Sequence, residues 1–247
     1  MKILTMPQRS IEWFAAKEGK VSGTTLGAAL SQTKAKSHST LKRGHLDEIA
    51  ESHNIDPSPF KTIKALGLAL DETIGPLEPA NLGAAAETLV NKLIAELTSE
   101  RDSGVKTKAM DKGVGLEPFA LDAYTKETGI EIEEVGLLVS DLDGFVVSPD
   151  GISKDGGVEI KCPDSKTHIK YIRTGLPNEY WHQVHAPFLL SKRFEYWDFV
   201  SYDPSNYIKP LYIQRIERPD EQWIEDTNKI LSEFISHLNR EYERIAF

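Results

Sequence analysis

The stretch SPDGISKDGGVEIKCP, residues 148–163, decides how this chain is read. Asp150 closes one apolar run, GFVVSP, and Asp155-Gly156 is a turn dipeptide that returns the chain into GVEIK. Side chains alternate along an extended strand, so Glu159 and Lys161 share one face and Val158 and Ile160 the other. The pattern predicts two carboxylates and an ammonium converging at one end of a hairpin. Phosphodiester hydrolysis asks for hard oxygen ligands to Mg²⁺, which Asp150, Glu159 and the backbone carbonyl of Ile160 would supply. A lysine beside them can orient or deprotonate an attacking water and stabilise charge developing on the phosphate. The plainer reading is a surface hairpin, with Asp150-Gly151 as a turn and Glu159 and Lys161 as a solvated pair. The apolar residues interleaved with the charged ones favour a buried site.

Outward from that stretch, periodicity predicts an α/β fold. Upstream, Ser10 can cap a short helix over 8–18 that offers Trp13 and Phe14 to a core. Ser22 or Thr24 can cap another over 24–31. Residues 33–81 mix polar residues with Pro57, Pro59, Pro76 and Pro79 around a helical stretch, LDEIAESHNI, and read as an insertion or mobile arm. An amphipathic helix follows in LGAAAETLVNKLIAELTSE. Another covers 113–128, with Glu117 near its start and Gly129 as a left-handed cap. The segments IEIEEVGLLVS, GFVVS and GVEIK are predicted as a three-stranded antiparallel unit. Downstream come a helix in NEYWHQVHAPFLLSK, strands in EYWDFVSYD and KPLYIQRIE, and a final helix from about 220 to 244. The expected architecture is a single domain, 1–247, with a central mixed sheet of about five strands flanked by helices.

Composition narrows the function classes. The net charge of −9 argues against a general basic nucleic-acid glue, although acids that hold a metal can still draw in phosphate through the cation. The single cysteine, Cys162, excludes an internal disulfide, a four-cysteine zinc site and a cysteine-ligated iron–sulfur cluster built from this chain alone; an inert buried thiol is expected. No apolar run reaches the length of a membrane span, and MKILTMPQRS lacks a secretory h-region, so a cytoplasmic location is expected. His182 and His185, three apart on one helix, suggest a metal pair or a DNA contact less readily than polar positions around Gln183. Tyr180, Trp181, Tyr196 and Trp197 read as core rather than as base-stacking platforms.

Taken in order, EW at 12–13, VSGT at 21–24, Gly113 with Glu117, SPDG at 148–151, EIKCP at 159–163, YWHQV at 180–184 and WDFVSYDP at 197–204 resemble the phage lambda-type exonucleases, also called YqaJ-type viral recombinases. The resemblance spans nearly the whole chain outside 33–81. It implies a restriction-endonuclease-like core of the PD-(D/E)XK type, with Asp150, Glu159 and Lys161 as catalytic residues and Glu117 adding a carboxylate able to complete a two-metal site. A glutamate favoured by a helix N-terminus is the plain alternative for Glu117. The resemblance further implies that Lys17, Thr24, Ser148 and Gln183 contact DNA phosphate, including a 5′-terminal one. Ser148 could instead end a strand, and Gln183 could be a polar residue on an exposed helix face. At Lys17 the family usually has arginine, and lysine lacks its bidentate fork; Ser22-Gly23-Thr24 replaces the usual Thr-Ala-Ser turn.

The expectation is therefore a Mg²⁺-dependent enzyme, with Mn²⁺ as a substitute, that digests double-stranded DNA from a free 5′ end and leaves 3′ single-stranded tails for recombination. By resemblance it is a homotrimer with a single-strand-annealing partner. A sequence- or structure-specific endonuclease of the same fold, with 33–81 as a recognition arm, is the competing enzyme reading. A non-catalytic DNA mimic fits the charge but gives Lys161 no role.

Overall fold

The structure, a computed structural model, describes residues 1–78, 80–100 and 108–247; Pro79 of the predicted arm lies outside them. The chain divides into two compact units, Met1–Leu30 with Thr88–Phe247, and Ser31–Glu87.

The larger unit is built on two four-stranded mixed sheets. In the first, β1 (Lys2–Leu4), β2 (Val21–Ser22), β3 (Leu137–Val139) and β4 (Phe145–Val147) lie in the order β1-β3-β4-β2. In the second, β5 (Gly151–Ile152), β6 (Gly157–Lys161), β7 (Tyr196–Tyr202) and β8 (Leu211–Glu217) follow one another. This corrects the predicted three-stranded antiparallel unit. β3 and β4 do pair as a hairpin, but β6 pairs antiparallel with β5 and parallel with β7. Pro149-Asp150 is the reason: proline has no N–H to give a ladder, and the chain leaves one sheet at β4 and enters the other at β5. Asp150 therefore stands between the two sheets.

Register sorts the faces of the second sheet. Glu159 lies beside Phe199 and Lys161 beside Ser201, whereas Val158 and Ile160 lie beside Asp198 and Val200. The Val158–Ile160–Val200 face packs against Ala120 and Tyr124 of α6 (Lys108–Thr128), with Leu121, Ile130 and Cys162 partly buried at its margin. Gly129, at φ +70°, ends that helix in the left-handed conformation expected of it. The opposite face carries α7 (Ser165–Thr174) and α8 (Asn178–His185): the Tyr171 ring meets Phe199 edge-on at 5.6 Å, and Tyr180 stacks on Phe199 at 5.9 Å. Each such aromatic contributes on the order of 1.5–3 kcal/mol through burial.

In α1 (Ile11–Lys17), Ser10 caps as expected by accepting the Trp13 N–H, and Trp13 packs on Leu137 and Val146 of the first sheet. α2 is shorter than predicted, Leu26–Ala29, because Thr25 rather than Ser22 or Thr24 stands at its cap. The helix expected over 178–192 breaks after His185 into a 3₁₀ turn over Ala186–Leu189, where Pro187 interrupts the α pattern. α9, Glu221–Ala246, is capped by Asp220 and buries Ile224, Leu231, Phe234, Ile235 and Leu238.

The unit Ser31–Glu87 has a core of its own. There α3 (Arg43–Ser52) and α4 (Ile63–Ile74) bring together Leu46, Ala50, Leu66 and Leu70, all fully buried. His38 Nδ1 lies 2.8 Å from Asp71 Oδ1, and Lys36 and Glu78 bridge the two ends of the unit's chain. α5 (Ala84–Thr98) carries the boundary between the units.

Candidate active site

Asp150, Glu159 and Lys161 converge. β6 holds Glu159 and Lys161 on one face, and Lys161 Nζ donates to Glu159 Oε1 at 2.5 Å. From the gap between the sheets, Asp150 Oδ2 accepts the Ile160 backbone N–H at 2.6 Å. The Ile160 side chain turns the other way, into the α6 core, so this residue offers the site only its backbone. Only 5% of the Glu159 side chain is exposed, and 23% of that of Lys161.

Electrostatics follow from that crowding. Burial first, and then the charge of Glu159, push the Asp150 carboxyl well above the ordinary carboxylate range. Glu159 is raised as well, again by burial, with Lys161 pulling the other way. Burial pulls the Lys161 ammonium down, but Glu159 and Asp150 beside it more than offset this and hold it above an ordinary lysine. Lys161 Nζ also lies 4.7 Å from the centre of the Tyr180 ring, which shields it from water on one side.

Gln183 is not an exposed polar residue of its helix. It reaches from α8 to Glu159, donating to Oε1 at 2.5 Å, so the same oxygen takes hydrogen bonds from Lys161 and Gln183. The Ser22-Gly23-Thr24 turn sits against that segment of α8: a Cβ on Gly23 would lie 3.7 Å from Gln183 Cγ and 3.5 Å from Ala186 Cβ. Thr24 Oγ1 meets Ser22 Oγ at 2.9 Å, in a cluster of hydroxyls with Thr25. Ser148 Oγ accepts from Trp13 Nε1 at 3.1 Å and donates to the Gly136 carbonyl at 3.0 Å. Lys17 lies over the same Trp13 ring at 3.9 Å. In this state Ser148 and Lys17 are thus tied to the indole that locks α1 onto the first sheet.

Glu117 lines the same cleft as Asp150, where it is held by Arg9. Arg9 engages both its oxygens, Nη2 to Oε1 at 3.2 Å and Nη1 to Oε2 at 3.4 Å. Its charge still raises both Asp150 and Glu159. Arg9, Glu117 and Asp150 line one cleft of about 380 Å³, closed by Gln8, Glu134 and Leu121. Gln8 Nε2 donates to the carbonyls of Val135 and Pro149 at 3.1 and 2.6 Å, which fixes the backbone just before Asp150. Sequence reasoning missed Arg9 and Gln8. The one local signal was their position, directly before a helix cap.

The histidines and aromatics pack among one another. His185 stacks on Trp181 at 3.9 Å and its Nδ1 lies 2.6 Å from the Trp181 carbonyl; burial lowers both His182 and His185, which leaves them neutral near pH 7. Tyr196 and Trp197 are buried. Behind the site, Asp198 takes a fork from Arg215, at 3.0 and 2.8 Å, and the Tyr124 hydroxyl at 2.7 Å, pinning α6 to β7 and β8.

Asp150, Glu159, the Ile160 backbone and Glu117 are the groups that could hold a divalent cation. Among the described residues no three His, Cys, Asp or Glu side chains stand ready as a cage. Arg9 occupies Glu117, and Lys161 with Gln183 occupies one oxygen of Glu159. The donor set nevertheless suits a hard cation: oxygen ligands only, and two carboxylates, Glu159 buried and Asp150 partly so, whose mutual repulsion a cation would relieve.

The fold is that of the alkaline exonucleases. The chain superposes on the alkaline exonuclease LHK-Exo from Laribacter hongkongensis with a TM-score of 0.68, 27% identity and 96% of each chain covered. The LHK-Exo complex with dAMP gives 28% identity at the same TM-score and coverage. A phage-related exonuclease from Haemophilus somnus 129PT shares the fold at a TM-score of 0.55 and 13% identity, over 92% of this chain and 95% of that one. Residues 12–192 match the YqaJ-like viral recombinase domain, and the chain belongs to that family. No curated protein matches it.

Proposed function

We propose that this protein is a metal-dependent DNA exonuclease that degrades duplex DNA from a free 5′ end and leaves 3′ single-stranded tails for recombination. The observation that carries the reading is the convergence of Asp150 and Lys161 on the buried Glu159 where the chain passes from one sheet to the other. Membership of the YqaJ-like family and likeness to alkaline exonucleases support it.

Asp150, Glu159, the Ile160 carbonyl and, once released by Arg9, Glu117 would hold Mg²⁺, or Mn²⁺ in its place. The cation would polarise the scissile phosphate and lower the pKa of an attacking water. Glu159 and Asp150 hold the Lys161 ammonium above an ordinary lysine; beside the cation Lys161 would orient or deprotonate the attacking water and stabilise charge on a phosphate oxygen. Gln183 holds Glu159 in one rotamer, and the Tyr180 ring keeps Lys161 from bulk solvent. Ser148, Thr24 and Lys17 would bind phosphate of the incoming end, which requires Lys17 and Ser148 to exchange contacts around Trp13. Assembly as a homotrimer, an annealing partner and a cytoplasmic setting belong to the same proposal.

The test is linear duplex DNA labelled at either 5′ or 3′ end, with Mg²⁺, with chelator, and with Lys161→Ala. Early release of 5′ label as mononucleotide, lost with chelator and in the variant, is expected. Early release of 3′ label refutes the polarity, cleavage of closed circles favours the endonuclease, and folded protein that degrades no DNA refutes the enzyme.

A further inference from the structure

The outer face of α7 is a cationic strip. Lys166, Lys170 and Arg173 are all exposed, while His168 and Tyr171 on the other side of the helix are buried. At 100° per residue the three cations fall within an arc of about 60°, roughly opposite His168 and Tyr171. None of them forms an ion pair among the described residues. Between Asp164 and Glu179 the sequence has no acid at all, in a chain with 38 acids among 247 residues and a net charge of −9.

Helix stability accounts for Arg173, which stands in the last turn, but not for Lys166 and Lys170. Lys166 sits in the first turn, where the macrodipole disfavours a cation. Lys166 and Lys170 are like charges at i,i+4, which repel on a helix surface. A strip that costs the isolated protein stability gains if a polyanion lies along it.

Its position relates it to the site. α7 begins four residues after Lys161, on the face of the second sheet that bears Glu159 and Lys161. The Tyr171 ring lies 6.3 Å from that of Tyr180, over which Lys161 sits. His168 ties the helix down on the same face, with Nδ1 2.7 Å from Ser201 Oγ and Nε2 2.8 Å from the Lys209 carbonyl. α7 is thus fastened to the sheet face that bears Glu159 and Lys161, with the strip turned outward.

We infer that Lys166, Lys170 and Arg173 are a docking strip for the sugar-phosphate backbone of DNA whose end is being processed. The inference rests on the nuclease reading above and adds a surface to it. The strip reads charge and not sequence, since three cations on an exposed helix face have only phosphate oxygens to recognise.

The experiment compares wild type, Lys166→Gln/Lys170→Gln/Arg173→Gln, and Lys166→Arg/Lys170→Arg/Arg173→Lys. Fluorescence anisotropy of a labelled blunt duplex in chelator is measured over a salt series, and degradation of the same duplex is measured in Mg²⁺. Each phosphate contact contributes about 0.9 to the slope of log K against log salt, so the glutamine variant is expected to lose ~2.7 from that slope. The charge-conserving variant should retain the slope and KM, whereas the glutamine variant should keep the wild-type kcat at saturating DNA while its KM rises. Equal slopes for wild type and the glutamine variant overturn the strip, as does a loss confined to kcat. Wild type that binds with the slope difference yet degrades nothing refutes the nuclease reading and leaves the docking strip standing.

Discussion

Asp150→Asn removes one of two carboxylates that the fold crowds together, while keeping an oxygen able to accept the Ile160 N–H. In the unfolded chain an aspartic acid ionises near its ordinary value, about 3.9. In the folded protein burial and then Glu159 push Asp150 well above that, and burial raises Glu159 too. The native state then holds protons that the unfolded chain has already released. Stability from this pair is fully present below the ordinary carboxylate range and is lost as pH rises through the raised folded-state values, at ~1.36 kcal/mol for each unit of difference. The hydrogen bond from Ile160 and the charge of Lys161 recover part of the loss. In chelator, Asp150→Asn is expected to match wild type near about pH 4 and to exceed it by about 1–3 kcal/mol near about pH 8. For a chain of this length that is a rise of roughly 2–10 °C in Tm. Activity should fall by about 10²-fold or more, because an uncharged amide cannot replace the carboxylate at the reacting phosphate. Thermal unfolding followed by circular dichroism across pH gives the first quantity and duplex degradation the second. Parallel stability curves from acid to alkali, or a variant less stable at high pH, would refute the reasoning, because Asp150 would then carry no electrostatic cost in the fold.

Gln183→Leu leaves Glu159 held by Lys161 alone; kcat is expected to drop about 10–100-fold with KM for DNA little changed, and a rise confined to KM would make Gln183 a phosphate contact instead. Arg215→Met strands the buried Asp198 with only the Tyr124 hydroxyl and should cost about 3–5 kcal/mol in urea unfolding, against about 1–2 for Tyr124→Phe. Equal small losses would show that this network does not hold α6 to the sheet. Arg9→Gly relieves a non-glycine residue at φ +67° and removes a partly exposed ion pair to Glu117, two effects of about 1 kcal/mol that oppose each other, so Tm should barely move. A fall of more than about 2 kcal/mol would mean that the fork to Glu117 does more than a surface ion pair.

The local rules carried far in this chain. Alternation along GVEIK assigned Glu159 and Lys161 to one face and Ile160 to the other, and the register beside β7 agrees. Ser10 and Gly129 stand where capping chemistry puts them. These features depend on neighbours within a few residues, and backbone stereochemistry is enough to read them. β1 and β2, at three and two residues, are too short to show a period, and they exist only because β3 and β4 are there to pair with. The division of the strands into two sheets was hidden for the same reason, since hydrogen-bond partners across a hundred residues leave no local mark.

The site divides in the same way. From sequence came the identities of Asp150, Glu159 and Lys161 and the expectation that they meet, because strand alternation and a hairpin bring them within reach. Tertiary structure alone decided that Gln183 grips Glu159 across 24 positions, that Arg9 claims Glu117 across 108, and that Gln8 pins the backbone before Asp150. Those contacts follow from how α1, α6 and α8 are laid against the sheets. Burial, which raises the two carboxylates and makes their charge costly, is likewise a property of the packed fold, with no counterpart in any short stretch of the chain.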